Sequence, residues 1–119
     1  MRAVAHPEDS LQMACVRWFD YQHRALSWAL FHVPNGGRRD PREAARFKAM
    51  GVRPGVPDLL LLLPRGGHAY LAIELKAGRN TQTQSQKDYE RRMNANGGKY
   101  AVVRSLEEFI NTIDNYLKP

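Results

Sequence analysis

An α/β domain with a mixed central sheet flanked by helices is what this sequence predicts, and three observations carry that expectation. Apolar residues recur at three- and four-residue intervals near both ends of the chain, as amphipathic helices require: Leu11, Ala14, Cys15 and Trp18 early, Phe109, Ile110, Ile113 and Leu117 late. Between them lie short runs of β-forming residues, one of them the unbroken leucine run Leu59 to Leu63, as in a strand buried on both faces. Pro64-Arg65-Gly66-Gly67 leaves room only for a hairpin after that run, whereas a polar helix separates the last two runs, so antiparallel and parallel pairs share one sheet.

The elements follow in order. Residues 1–7 read as a short arm ending at Pro7, and Glu8 to Arg24 as the first helix, its apolar stripe widened by Phe19 toward Tyr21. "ALSWALFHV" (25–33) is rich in β-formers and stops at Pro34, which predicts a strand. "PNGGRR" (34–39) is a loop; then Asp40 is a cap, Pro41 suits a first helical position, Glu43 a first turn, and Gly51 ends the helix. After "RPGVP" (53–57) come the strand 59–63, the turn 64–67 and a strand from His68 to Lys76. Thr83 to Asn96 is a helix closed by Gly97 and Gly98, "KYAVVRS" (99–105) a last strand, and Ser105 with Glu108 a capping box for the final helix, whose inner face begins at Leu106.

The whole chain, 1–119, is the size of one domain. Its net charge of +6 points to a polyanionic partner. Cys15 is the single cysteine and falls on the apolar side of the first helix; one cysteine excludes an intramolecular disulfide and a cysteine-built zinc site. No signal peptide and no membrane-length apolar stretch is discernible, so the expectation is a reducing, cytoplasmic setting with no membrane partner.

The chemistry lies where strands should bury hydrocarbon. Along "HAYLAIELK", alternation puts Leu71, Ile73 and Leu75 on one face and Tyr70, Ala72, Glu74 and Lys76 on the other, with Glu74 and Lys76 roughly 7 Å apart along the strand. If the leucine run pairs with this strand in a hairpin, Asp58 at its start meets Glu74 and Lys76 at the other strand's end. Two carboxylates at a partly open site suit a hard cation, Mg²⁺ or Mn²⁺, and Lys76 can neutralise developing charge; phosphodiester hydrolysis is the matching reaction. Taken singly, each residue has a plainer reading: a solvated ion pair for Glu74 and Lys76, a turn-closing side chain for Asp58. Their joint placement across one hairpin is what favours chemistry.

"GVPDL" followed by "IELKAG" and "QKDY" resembles the VRR-NUC (virus-type replication-repair nuclease) family, of the restriction-endonuclease-like superfamily with its PD-(D/E)-x-K pattern. The likeness extends to "HVPNGGRRDPREAARFKAMG". It implies a restriction-endonuclease-like core in which Pro57 and Asp58 take the first half of the motif, Glu74 the second acid and Lys76 the lysine. It also implies that the Leu75 carbonyl is a metal ligand, that Gln86 supports catalysis with Tyr89 one turn later, and that Glu8, as the family's first-helix acid, is a further metal ligand. Two of these have ordinary alternatives: Glu8 suits any first helical turn, and Thr83-x-x-Gln86 is itself a capping box.

Asn35, Arg38, Arg39, Arg42, Arg46, Lys48, Arg79 and Lys87 are candidate phosphate contacts, with Arg91 and Arg92 following on the same helix. His32 reads as structural, and His6, His23 and His68 lack ligand spacing. No helix-turn-helix, zinc finger or basic zipper is discernible, so selection by DNA shape is expected rather than by sequence. One active site per chain means that cutting two strands of a four-way (Holliday) junction needs a symmetric homodimer, which is also what the resemblance to standalone viral and bacterial members implies. The expected function is thus a metal-dependent, structure-selective DNA endonuclease; its rivals are a general or flap-type nuclease and a non-catalytic nucleic-acid-binding module.

Overall fold

A computed structural model describes residues 6–34 and 40–119. Helix α1 (Pro7–Gln22) starts on Pro7, whose missing N–H suits a first helical position, with Glu8 and Asp9 in the opening turn. A six-residue 3-10 helix, Arg24–Ala29, leads into the short strand β1 (Leu30–His32). Helix α2 (Pro41–Ala49), strands β2 (Leu59–Leu61) and β3 (Leu71–Leu75), helix α3 (Gln84–Ala95), strand β4 (Lys99–Val103) and helix α4 (Leu106–Leu117) complete the order.

The sheet runs β1-β2-β3-β4, with β1 and β2, then β2 and β3, antiparallel and β3 and β4 parallel, as a hairpin followed by a crossover helix dictates. The hairpin turns on Gly66 and Gly67, both at positive φ (56° and 84°), the pair of left-handed residues that a two-residue type I′ connection demands. Arg65 and His68 close it with reciprocal backbone bonds of 3.0 and 2.8 Å, so the turn is centred one residue later than Pro64 to Gly67 suggests.

One core holds the domain together. Cys15 and Phe19 of α1 and Phe109, Ile113 and Tyr116 of α4 pack with Leu30, Leu59, Leu61, Leu71, Ile73, Leu75 and Val103 from the sheet. Burial pushes the Cys15 thiol up to about 12, so it is an inert hydrophobe. Every residue of β3 is buried, whereas α2 buries none.

The structure corrects several boundaries. Residues 25–29, expected as strand, belong to the 3-10 helix: Leu26 N–H bonds His23 and Leu30 N–H bonds Ser27, three residues back. The chain has to double back from α1 onto the sheet there, and that geometry overrides the β-propensity of Leu26 and Trp28. Tyr21 is 77% exposed and does not extend the α1 stripe, and Leu106 stands at the rim of α4. Tyr116 takes a core place instead, its hydroxyl donating to the Leu63 carbonyl at 2.6 Å. Asn35, Arg38 and Arg39, expected to contact nucleic acid, lie outside the described residues.

Candidate active site

Asp58 sits at the mouth of β2, and the adjoining pairs Leu59 with Ile73 and Leu60 with Ala72 set it level with Glu74 across the hairpin. Its backbone carbonyl accepts from Val33 N–H (2.9 Å) and from His32 Nδ1 (2.8 Å), which anchors the turn to the end of β1. A carbonyl can only accept, so this bond puts the His32 proton on Nδ1 and gives that residue the structural role expected of it. The side chain then crosses to the neighbouring strand, Oδ2 accepting from Leu75 N–H at 2.8 Å.

Glu74 and Lys76 are the buried charged side chains of the core, 2% and 7% exposed. Alternation puts them on one face, and their charged ends stand 4.0 Å apart. That is the outer limit of an ion pair, and it does not hold Glu74 ionised. Burial first, then the neighbouring Asp58 carboxyl by charge and by a shared hydrogen bond, pushes the Glu74 carboxyl up to about 8. Lys76 and the Tyr100 hydroxyl pull the other way and lose. The raised pKa means that Glu74 favours its protonated form at neutral pH.

Gln86 closes the capping box that its spacing suggested and also reaches the buried glutamate. Its Oε1 accepts from Thr83 N–H (2.8 Å) while Thr83 Oγ1 accepts from Gln86 N–H (3.2 Å), closing the capping box of α3. That leaves its Nε2 to donate to Glu74 Oε2 at 2.8 Å. A glutamate could close the same box, but only the amide can also donate to a carboxylate.

Tyr100, which the sequence reading did not single out as a site residue, donates its hydroxyl to Glu74 Oε1 at 3.3 Å. Burial first, then the charge of Glu74, pushes its pKa well up, so it remains a donor. Alternation within "KYAVVRS" puts Tyr100 on a face with Val102, but only the parallel register, Ala72 with Tyr100 and Glu74 with Val102, shows which face that is.

Glu8 is brought to the site's flank. Its Oε2 accepts from Ala77 N–H (3.2 Å) and Asn80 Nδ2 (2.9 Å), in the loop directly after Lys76. Arg104 clamps the same loop from β4's end through the carbonyls of Gly78 (3.2 Å) and Asn80 (2.7 Å). Among the described residues no three His, Cys, Asp or Glu side chains stand close enough to hold one metal ion, so Glu8 does not join Asp58 and Glu74 in such a cluster. The oxygen donors on hand for a cation are the two carboxylates and the adjoining Leu75 carbonyl, a set that suits Mg²⁺ or Mn²⁺ with water and phosphate filling the other positions.

Arg42, Arg46 and Lys48 are exposed along α2, Arg79 on the loop after Lys76, and Lys87 on α3 beside Gln86. A cavity of 710 Å³ lies elsewhere, between α1 and β1, lined by Met13, Val16, Tyr21, Leu30 and Phe31 among others. Hollow shape and chemistry disagree in this molecule, and the chemistry marks the site: the carboxylates, the lysine and the amide converge outside that apolar groove.

The sequence matches the VRR-NUC domain family over residues 6–107. A solved structure described as a VRR_NUC domain protein superposes with a TM-score of 0.82 at 29% identity, covering 97% of this chain and 91% of its own. A second, described as a VRR_NUC domain, shares the fold at a TM-score of 0.60 and 23% identity, over 94% of this chain and 99% of its own. No curated protein matches.

Proposed function

Because the chain belongs to the VRR-NUC domain family, a nuclease-type fold, and sets Asp58, Glu74, Lys76 and Gln86 at one end of a buried hairpin, we propose that it is a metal-dependent, structure-selective DNA endonuclease. Its substrate is branched DNA, the four-way junction above all, cut by a homodimer with one site per subunit. The observation that carries this reading is the burial of Glu74 against Asp58. A carboxylate held out of water beside a second acid costs stability when ionised unless a cation binds the two, and a module that only holds phosphates has no use for such a pair.

Asp58, Glu74 and the Leu75 carbonyl would hold the Mg²⁺ or Mn²⁺, which when bound supplies charge stabilisation at phosphorus and a more acidic water. Every other part is the protein's own. Lys76 orients the attacking water and offsets the negative charge that grows on the phosphate. Gln86 and Tyr100 each take one oxygen of Glu74 and so fix the plane of its carboxylate. Glu8 and Arg104 keep the loop behind Lys76 in place. Arg42, Arg46, Lys48, Arg79 and Lys87 meet backbone phosphates, which positions the substrate without reading its sequence.

The test is cleavage of labelled four-way junction, flap, duplex and single-stranded DNA in Mg²⁺, Mn²⁺ or EDTA. Paired nicks in the junction, dependent on metal, are expected. Cutting of all four forms would retain the nuclease and remove the junction preference, while binding without cutting in either metal would leave a non-catalytic module.

A further inference from the structure

A 190 Å³ cleft lies between the turn that precedes β2 and helix α3, lined by Arg53, Pro54, Ser85, Asp88, Tyr89 and Arg92. The α3 members stand at i, i+3, i+4 and i+7, so they form one stripe facing the turn. The walls are held together closely. Gly55 has φ +84°, and a Cβ on it would lie 2.5 Å from the carbonyl carbon and oxygen of Ser85, so turn backbone rests directly on helix backbone. The same two walls carry the site: Asp58 lies a few residues beyond Gly55, and Gln86 follows Ser85.

The lining is rich in donors. Arg53 has its Nη1 pinned by the Lys48 and Val52 carbonyls (3.2 and 3.3 Å), which holds the guanidinium in place, and among the described residues its other N–H groups make no hydrogen bond. Neither Arg53 nor Arg92 is in an ion pair among the described residues. The acid in the lining, Asp88, takes both Gln84 Nε2 (3.0 Å) and Arg91 Nη2 (3.1 Å) on Oδ1, so Arg91 offsets its charge, and Arg92 reaches it only by a weaker, longer-range attraction. Two guanidinium groups and the hydroxyls of Ser85 and Tyr89 thus surround a space whose chemical complement is a tetrahedral oxyanion.

We infer that this cleft seats a backbone phosphate of the strand being cut, next to the phosphate at the carboxylates, with Arg53 and Arg92 as its cationic contacts. The inference rests on the nuclease reading above and adds to it a fixed register. The surface arginines of α2 can meet phosphates anywhere along a strand, whereas a cleft locked to Asp58 and Gln86 holds one phosphate at a set offset from the bond that breaks. That offset turns loose electrostatic binding into alignment for cleavage.

The experiment measures binding of the full chain in EDTA to a labelled junction in which single phosphates around the cut are replaced, one at a time, by neutral methylphosphonate. One position is expected to weaken wild-type binding about as much as Arg53→Ala weakens binding of unmodified DNA, and to have no added effect in that variant. Arg92→Ala, which removes no side-chain hydrogen bond or ion pair among the described residues, is expected to behave alike, each variant lowering the salt slope by about one. Lys118→Ala serves as a control with no preferred position. Additive losses at every position in both variants, with cutting intact, would remove the cleft and leave the nuclease reading. Arg53-dependent binding of inorganic phosphate without any effect on DNA would assign the cleft to a free anion and overturn the inference. A wild-type chain that neither binds nor cuts DNA would remove both.

Discussion

Strand β3 and helix α2 both carry residues assigned to the substrate, and they are built in opposite ways. In β3 every residue is buried, so Glu74 sits among fixed neighbours and its ionisation depends on them. In α2 none is buried; the helix stands on its Asp40 cap, whose Oδ1 takes Arg42 and Glu43 N–H at 2.9 Å each, and its cations project into water. A buried carboxylate beside a second acid is worth little to stability, and in the proposed nuclease it would make the site depend on a cation. Exposed arginines are individually weak and interchangeable, which suits contacts that must slide along a phosphate chain.

Glu74→Gln should break the buried side of that contrast most completely. The amide keeps the shape and its one oxygen can still accept from Gln86, yet cleavage should fall at least about a hundredfold, read under single turnover in Mg²⁺. The same variant should change the pH dependence of stability. In the native protein the folded Glu74 pKa, about 8, lies above its ordinary value of 4.5. The fold therefore favours the protonated form, and that contribution is fully present below the ordinary pKa and lost as pH rises through about 8. Melting temperature in EDTA should fall across this window, by an amount equivalent to a few kcal/mol as an order of magnitude, and Mg²⁺ should restore it at the alkaline end. Glu74→Gln should flatten the profile and remove the response to metal.

Gln86 and Thr83 allow a finer cut, since one side chain serves helix and site together. Thr83→Ala should lower stability by about 1 kcal/mol with cleavage largely retained, because the Nε2 contact to Glu74 remains. Gln86→Ala should lose both, with an apparent metal affinity weaker by about ten- to a hundredfold in a Mn²⁺ titration. Smallest of all, Arg42→Ala or Arg46→Ala should weaken DNA binding only about two- to threefold and lower the salt slope by about one, with little change in the rate of the bound complex. A single α2 arginine whose loss stops cleavage would contradict the division drawn between the two elements.

Legibility followed the same division between local and distant. The Asp58–Glu74–Lys76 site could be read because it needs only a short turn and strict alternation, both local properties of the chain. Helix caps were legible for the same reason, down to Asp40 and Thr83, although Glu108 Oε1 reaches the Arg104 N–H, one residue short of the box expected with Ser105. The parts that were not legible depend on distant register. Tyr100 meets Glu74 only through the parallel pairing of β3 and β4, and Arg104 meets the loop after Lys76 from the far end of β4. Glu8 arrives on that loop from a helix 69 residues away in sequence, and no local pattern could have separated loop support from metal ligation.

The most direct test of the account is Lys76→Ala measured two ways on one sample: single-turnover cleavage of a labelled four-way junction in Mg²⁺, and binding of the same DNA in EDTA. The account predicts that cleavage disappears while the dissociation constant and the far-UV spectrum stay near wild type. Cleavage at the wild-type rate would mean that the bonds are broken somewhere other than at Asp58, Glu74 and Lys76.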